Sequence, residues 1–452
     1  MIASTLTEIA HVVGGEVVGD GSTRVTGAAT VDSRAVEPAG LFVALAGERV
    51  DGHDFASAAV EAGAAAVLGS RDVGVPGVVV DDVTVALGRL ARHVLDVVRP
   101  GVVAITGSQG KTSVKDLIAQ LVAPHRRVVA TQGNHNNELG VPLTVLGTRE
   151  DTEVLVVEMG ARGIGHVAEL CRIAPPDVSV VLNVGTAHVG EFGSVDNIAI
   201  AKGELVEALH PGGTAVLNAD DHRVAAMQAR SEAVVRWFGR EVEPGSDGVR
   251  IVDVRPTTSG EPDATYAVRD RVDTVHVPLV GEHQAVNLAA ALAVCDVLGL
   301  PAEGVLTTVP ALRSASTGRM ERHVTENGVV VLDDTYNANP ESMRAGLSAL
   351  AALEAPRRVA VLGEMLELGD GAHEAHRSVG EHAASLGVDK VVVVGESARA
   401  VAEGAGEVAT VVPDVDAAVA LLRPWLERGD AVLVKASRGA RLERVVHALT
   451  GA

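Results

Sequence analysis

Apolar positions along this chain fall in short continuous runs rather than in strict alternation. "GVVAITG", "TEVLVVEMG", "DVSVVLNVG", "RRVAVLGEM", "DKVVVVGES" and "DAVLVKAS" are the clearest, and Ala-rich stretches with helical spacing separate them. Strands that are apolar on both faces belong in sheets covered on both faces, so this alternation predicts parallel sheets in an α/β protein. The pattern breaks at "VVRPG" and again after "TVPALRSASTGR". Three domains are therefore expected: a small α/β unit over residues 1–98, a central unit with a mainly parallel sheet over 99–312, and a Rossmann-like α/β unit over 313–452.

Composition narrows the picture. Of 452 residues, 47% are apolar but only 2% are aromatic, so the cores must be built from Val, Leu, Ile and Ala. The net charge of -21 is spread along the chain, which argues against a nucleic-acid binder with a basic face. It does not exclude a nucleotide, since a few Lys, Arg and backbone N–H groups suffice for one phosphate chain. Cys171 and Cys295 both sit in apolar helical patterns, with no disulfide framework or Cys-rich metal site, which suits a reducing cytosol. The first residues carry no basic, long apolar leader, and no run reaches the roughly 18 apolar residues of a membrane span. A cytoplasmic monomer is the expectation.

Candidate chemistry centres on "AITGSQGKTSVKDLIAQL", residues 104–121. A strand runs into Gly107, Ser108, Gln109, Gly110, Lys111, Thr112 and Ser113, and a helix follows, which is the context a phosphate loop requires. The general motif has a further glycine where Ile105 stands. The backbone N–H groups and helix N-terminus would face the phosphates, Lys111 would reach the β/γ phosphates, and the Thr112 hydroxyl would meet Mg²⁺. Glu158 ends a buried strand, where an acid can hold the metal or simply face solvent. His188 lies in a following loop, although imidazole is an unusual partner for Mg²⁺. Lys202 opens no motif by itself and reads equally as a surface or salt-bridge lysine. His373 and His376 stand three apart with no third ligand nearby, so an exposed or substrate-edge role is expected for them.

Taken together and in order, "VDSRAVEPAGLFVALAGERVDGHDF", "TGSQGKT", "TQGNHNNELGVPLT", "EMGARGIGHVAELCRIAPPDVSVVLNVGTAHVGEFGS", "DDTYNANPESM" and "VLGEMLELGDGAHEAH" resemble the Mur ligases, ATP-dependent amide-forming enzymes of peptidoglycan synthesis. The family's loop is T-G-x-x-G-K-T, without the extra glycine. The resemblance implies an ADP-forming ligase for UDP-N-acetylmuramoyl-tripeptide and D-alanyl-D-alanine, with ATP and Mg²⁺. It makes Glu158 and His188 metal residues and Lys202 a lysine carbamylated beside the metal. It places His283 and Asn287 on a nucleotide-facing helix, and Arg319 and Asp334 against the γ-phosphate and the ribose. Ser33, Arg34 and residues 51–53 lie where the uridine nucleotide is received, and Asn134, Asn137, Tyr336, Asn337 and Asn339 on the substrate side. Gln109, Gln284 and Ala436 depart from the commoner family residues, the last putting a methyl near the second-substrate site. The D-N-P-R motif of diaminopimelate recognition is absent. Another ligase of the same type, a phosphate-loop kinase and an ATP-driven switch remain the rival readings.

Overall fold

A computed structural model describes residues 1–47, 50–187 and 189–451. Among the described residues, three large sheets carry the chain, beside a two-stranded pair of Ser4–Thr5 with Arg24–Val25. The first has the order Glu16–Val18, Gly77–Val79, Ala66–Gly69, Leu41–Val43, Ala29–Thr30, parallel except for its first pair. Helix Val83–Val98 closes this region. Asp82 caps it by accepting from the N–H groups of Thr84 and Val85. Its apolar stripe, Val83, Leu87, Leu90, Val94, repeats at helical spacing and is buried.

The central sheet has nine strands, in the order Arg271–His276, Asp263–Val268, Gly248–Arg255, Val234–Gly239, Thr214–Asn218, Val178–Val181, Gly101–Thr106, Val154–Glu158, Val128–Ala130. The last seven are parallel and the first two pair antiparallel. Strand Gly101–Thr106 lies between Val178–Val181 and Val154–Glu158, and Glu158 pairs in register with Ile105. The strand order reverses beside it, so its carboxyl end opens into the crevice where open α/β sheets bind ligands.

The third sheet runs Glu321–Val324, Val330–Asp334, Ala431–Lys435, Arg358–Leu362, Lys390–Val394, Ala409–Val412, parallel except for the first strand. Asp334 and Lys435 are register partners at the carboxyl ends of adjacent strands.

The first sheet's core does not stop at residue 98. Leu6, Ile9, Leu41, Leu87 and Leu90 pack in one continuous apolar cluster with Val102, Val145, Leu155, Val157 and Leu170 of the central region. The third sheet has separate clusters on its two faces, and Val280 of the central region packs into one of them. Both cysteines are buried and unpaired, and burial raises each thiol to about 12. His376 corrects the expectation of exposure. It is buried, accepts from the Met365 N–H at 2.8 Å, and faces the Ala372 carbonyl at 2.7 Å, so it braces the loop after strand Arg358–Leu362. His373 is exposed and pairs with Glu403. Among the described residues, no helix is long and apolar enough to cross a membrane.

Candidate active site

A cleft of about 1920 Å³ is lined from all three regions. At its floor the chain turns from strand Gly101–Thr106 into helix Lys111–Val122. Gly110 takes φ +81°, and a Cβ there would lie 2.9 Å from Asn287 Oδ1, so a residue without a side chain is required. The loop is clamped from the neighbouring strand's end. Ser108 N–H donates to the Asn183 carbonyl, Gln109 N–H donates to Asn183 Oδ1 at 3.0 Å, and Gly185 N–H donates to Ser108 Oγ at 2.9 Å. The helix N-terminus carries no side-chain cap, which leaves its first N–H groups for an anion. Lys111 Nζ donates to the Gly107 carbonyl at 2.7 Å.

Oxygen donors gather beside this loop. The Thr112 hydroxyl donates to Glu158 Oε2 at 2.8 Å, and Asn136 Nδ2 donates to Glu158 Oε1 at 2.7 Å. Glu158 is 1% exposed, yet both of its carboxylate oxygens have partners. A hydroxyl and a carboxylate at one point, with a buried floor, fit a hard cation such as Mg²⁺. Lys202, on helix Val195–Glu207, opens into the same cleft and is buried. Burial first and the nearby Lys111 charge second push its amine well below the usual lysine range. Burial also lowers Lys111, with Glu158 opposing and Arg319 adding to the shift.

The third region supplies the roof. Arg319 lies over the Tyr336 ring, 4.1 Å from its centroid, and its Nη2 reaches the Thr112 hydroxyl at 3.4 Å. Asp334 pairs with Lys435 at 2.5 Å and accepts from the Met320 N–H at 3.2 Å. His283 begins the helix bearing Asn287, and burial holds its imidazole below the ordinary histidine range. Two cationic centres, two oxygen donors and a ring of backbone donors thus converge on a space suited to a polyphosphate with its metal.

Three family models match the chain: "Mur ligase family, catalytic domain" over residues 28–94, "Mur ligase middle domain" over 105–295, and "Mur ligase, glutamate ligase domain" over 318–438. A UDP-N-acetylmuramoyl-tripeptide–D-alanyl-D-alanine ligase of Mycobacterium tuberculosis is 43% identical, covering 99% of this chain and 98% of the relative. The chain belongs to the Mur ligase family. The ligase of the same description from Escherichia coli is 35% identical over 99% of both chains. Among solved structures, a MurF from Acinetobacter baumannii superposes with TM-score 0.89 at 29% identity, covering 100% of this chain and 99% of that one. A MurF ligase from Thermotoga maritima in complex with ADP gives TM-score 0.82 at 32% identity, covering 94% and 98%.

The sequence-derived site residues of this Mur ligase divide unevenly in space. Ser108, Gln109, Gly110, Lys111, Thr112, Ser113, Glu158, Lys202, His283, Asn287, Arg319, Asp334 and Tyr336 all line the cleft. His188 lies outside the described residues. Asn134, Asn137, Asn337 and Asn339 also line it, but two of them have structural duties. Asn137 accepts from the Gly140 N–H at the start of helix Gly140–Leu146. Asn339 caps helix Pro340–Ala352 in a reciprocal pair with Ser342. Ser33 and Arg34 are not brought to the lining, although Val31 is. Arg34 folds onto Asp32, and Asp51 and His53 lock the turn Gly52–Phe55 to Ser70 and Arg71. The methyl of Ala436 is buried against Gly363, where an added Cβ would lie 2.8 Å from it, so the departure at 436 is absorbed inside the fold.

Asn136 lines the cleft and was not singled out from the sequence. It holds Glu158 from the side opposite Thr112, and it sits so close to Gly160 that a Cβ there would meet Asn136 Oδ1 at 2.8 Å. Residues that orient a metal's carboxylate typically matter about 10- to 100-fold in metal affinity or activity. Asn136→Ala is therefore expected to raise the Mg²⁺ concentration needed for half-maximal turnover by about tenfold. A Mg²⁺ titration of the variant checks this, and an unchanged midpoint would remove Asn136 from the site.

Proposed function

We propose that this Mur ligase joins D-alanyl-D-alanine to UDP-N-acetylmuramoyl-tripeptide with conversion of ATP to ADP and phosphate, a step of peptidoglycan precursor synthesis. The names of the relatives support the substrates, and the ADP complex of the Thermotoga maritima relative supports the nucleotide. The observation that carries the reading is the meeting of the phosphate loop, Glu158 and the third region's Arg319 around one point. A kinase or a switch has no need of a separate sheet delivering an arginine and an Asp–Lys pair to that point.

The chemistry follows from the poor electrophilicity of a carboxylate. An oxygen of the peptide's terminal carboxylate attacks the γ-phosphorus, the bond to the β-phosphate oxygen breaks, and ADP leaves. The amine of the dipeptide then adds to the acyl phosphate carbon, loses a proton, and inorganic phosphate departs as the amide forms. Lys111 and Arg319 neutralise the transferring phosphoryl group, and the loop's N–H groups hold the β-phosphate. Thr112 and Glu158 would hold Mg²⁺, which when bound neutralises phosphate charge. Closure by the third region keeps water from the acyl phosphate.

Lys202 belongs to this scheme as a carbamate. An ammonium buried beside Lys111 and near a metal has the wrong sign. A depressed amine is available neutral, and R–NH₂ plus CO₂ gives R–NH–COO⁻ and a proton, which turns the side chain into an oxygen donor suited to a hard cation.

Phosphate release is expected only when ATP, the UDP-muramoyl tripeptide and D-alanyl-D-alanine are all present. A coupled phosphate assay against a panel of amino acids and dipeptides measures this. Equal release with diaminopimelate or with single amino acids would exclude the assignment, and release without any amine would favour a switch.

A further inference from the structure

The segment joining the second and third regions lies along the phosphate-loop helix, and its contacts are spaced by the helix itself. Thr112, Asp116 and Gln120 of helix Lys111–Val122 stand four residues apart, so they share one face. Each bonds to a successively earlier point of the joining segment. Arg319 Nη2 meets the Thr112 hydroxyl at 3.4 Å. Ser316 Oγ donates to Asp116 Oδ2 at 2.7 Å. Gln120 closes a two-way pair with Arg313, donating to its carbonyl at 3.0 Å and accepting from its N–H at 3.2 Å. The segment therefore runs antiparallel to the helix, in register.

The members of this track are themselves anchored. Lys115 is buried and pairs with the second oxygen of Asp116, which fixes the carboxylate toward Ser316. Gln120 Nε2 also donates to the Asp116 carbonyl at 3.1 Å. Ser314 Oγ bonds to the carbonyls of Ser316 and Arg319, which gathers the segment into a tight turn just before Arg319. Past that point Gly318 takes φ +67° and its carbonyl accepts from the Tyr336 N–H, and Tyr336 in turn supports the guanidinium.

We propose that Asp116, Gln120 and Ser316 are positioning residues that set the register of the joining segment so that Arg319 arrives at the transferring phosphoryl group. None of the three lines the cleft, so none touches substrate. They act through Arg319, whose guanidinium must be placed within about half an ångström to act on a charge that develops during the reaction. This inference rests on the ligase reading, in which Arg319 neutralises that charge.

The test pairs Gln120→Leu with Ser316→Ala, which leaves the buried Lys115–Asp116 pair untouched and so preserves the fold. The paired variant is expected to lower kcat by about 30-fold, with ADP affinity by calorimetry within about twofold, because ADP lacks the group Arg319 serves. In an Arg319→Ala background the same pair should change kcat by less than about twofold, since a positioning residue has nothing left to position. An undiminished effect of the pair in that background, or a fall in ADP affinity matching the fall in kcat, would overturn the track while leaving the ligase reading intact. Near-wild-type turnover of Arg319→Ala alone would overturn the role of Arg319, and the track with it.

Discussion

Lys202→Ala is expected to lower turnover by about a thousandfold, and a short-chain carboxylic acid added to the buffer is expected to restore part of it. The size follows from the proposed carbamate, whose loss would remove an anionic oxygen donor from the Mg²⁺ site, and one lost preorganised charge typically costs about 10²–10³ in kcat. The rescue follows from geometry. Lys202 is buried on helix Val195–Glu207 and lines the cleft, so its truncation would leave space opening into the cleft, and acetate or formate carries the same carboxylate that the carbamate would present. Lys202→Glu should keep more activity than Lys202→Ala, because it supplies a carboxylate permanently. If Lys202 merely held a substrate carboxylate or phosphate as an ammonium, Lys202→Arg would be tolerated and added acid would be inert. That pair of results, with an unmodified lysine by mass spectrometry under CO₂, defeats the carbamate.

Lys111→Ala is the second large effect: ligation should fall by about 10³-fold, with binding of the uridine substrate retained. Lys111 Nζ now sits on the Gly107 carbonyl, 2.7 Å away, so its stem already curls over the loop that would hold the β/γ phosphates. No described hydrogen bond ties it to residues 1–98. In the proposed reaction, loss of its charge would leave Mg²⁺ and Arg319 alone to neutralise the phosphoryl group. Calorimetry with the UDP-muramoyl peptide separates the two roles. Lost uridine-substrate binding in a folded variant would contradict the assignment of Lys111 to the phosphates.

The difference between what could and could not be foreseen lies in chain distance. Lys111, Thr112 and Gly110 are read together because a strand, a turn and a helix bring them together within a dozen residues. Glu158 was legible because an acid at the end of an apolar run must emerge beside that turn once the strands pair in parallel. In "NHNN" the case is otherwise. Asn134, Asn136 and Asn137 lie in an irregular stretch with no period to say which side chain turns inward, and it is Asn136 that reaches Glu158. Ser33, Arg34 and His53 were placed on the uridine-nucleotide side by the family resemblance alone, and in the structure Arg34 folds onto Asp32 while His53 bonds to Asp51 and Ser70. The helix–segment track was invisible because its partners are about two hundred residues apart in sequence, at separations of 193, 200 and 207.

The two seams around the central sheet differ in substance, and this sets which one can work as a joint. Residues 1–98 meet it through a continuous apolar cluster, and parting that seam would bring hydrocarbon into contact with water at about 25 cal/mol per Å². The third region meets it through an apolar contact at Val280 and through polar groups such as Glu341, which accepts from the Thr186 N–H and hydroxyl, and Ser316 on Asp116. Each of those bonds to a carboxylate can be exchanged for one to water at a net cost of about 1.5–3 kcal/mol. The polar seam is thus the cheaper of the two to part, and the closure that the proposed reaction needs would be expected there, with residues 1–98 staying fixed on the central sheet.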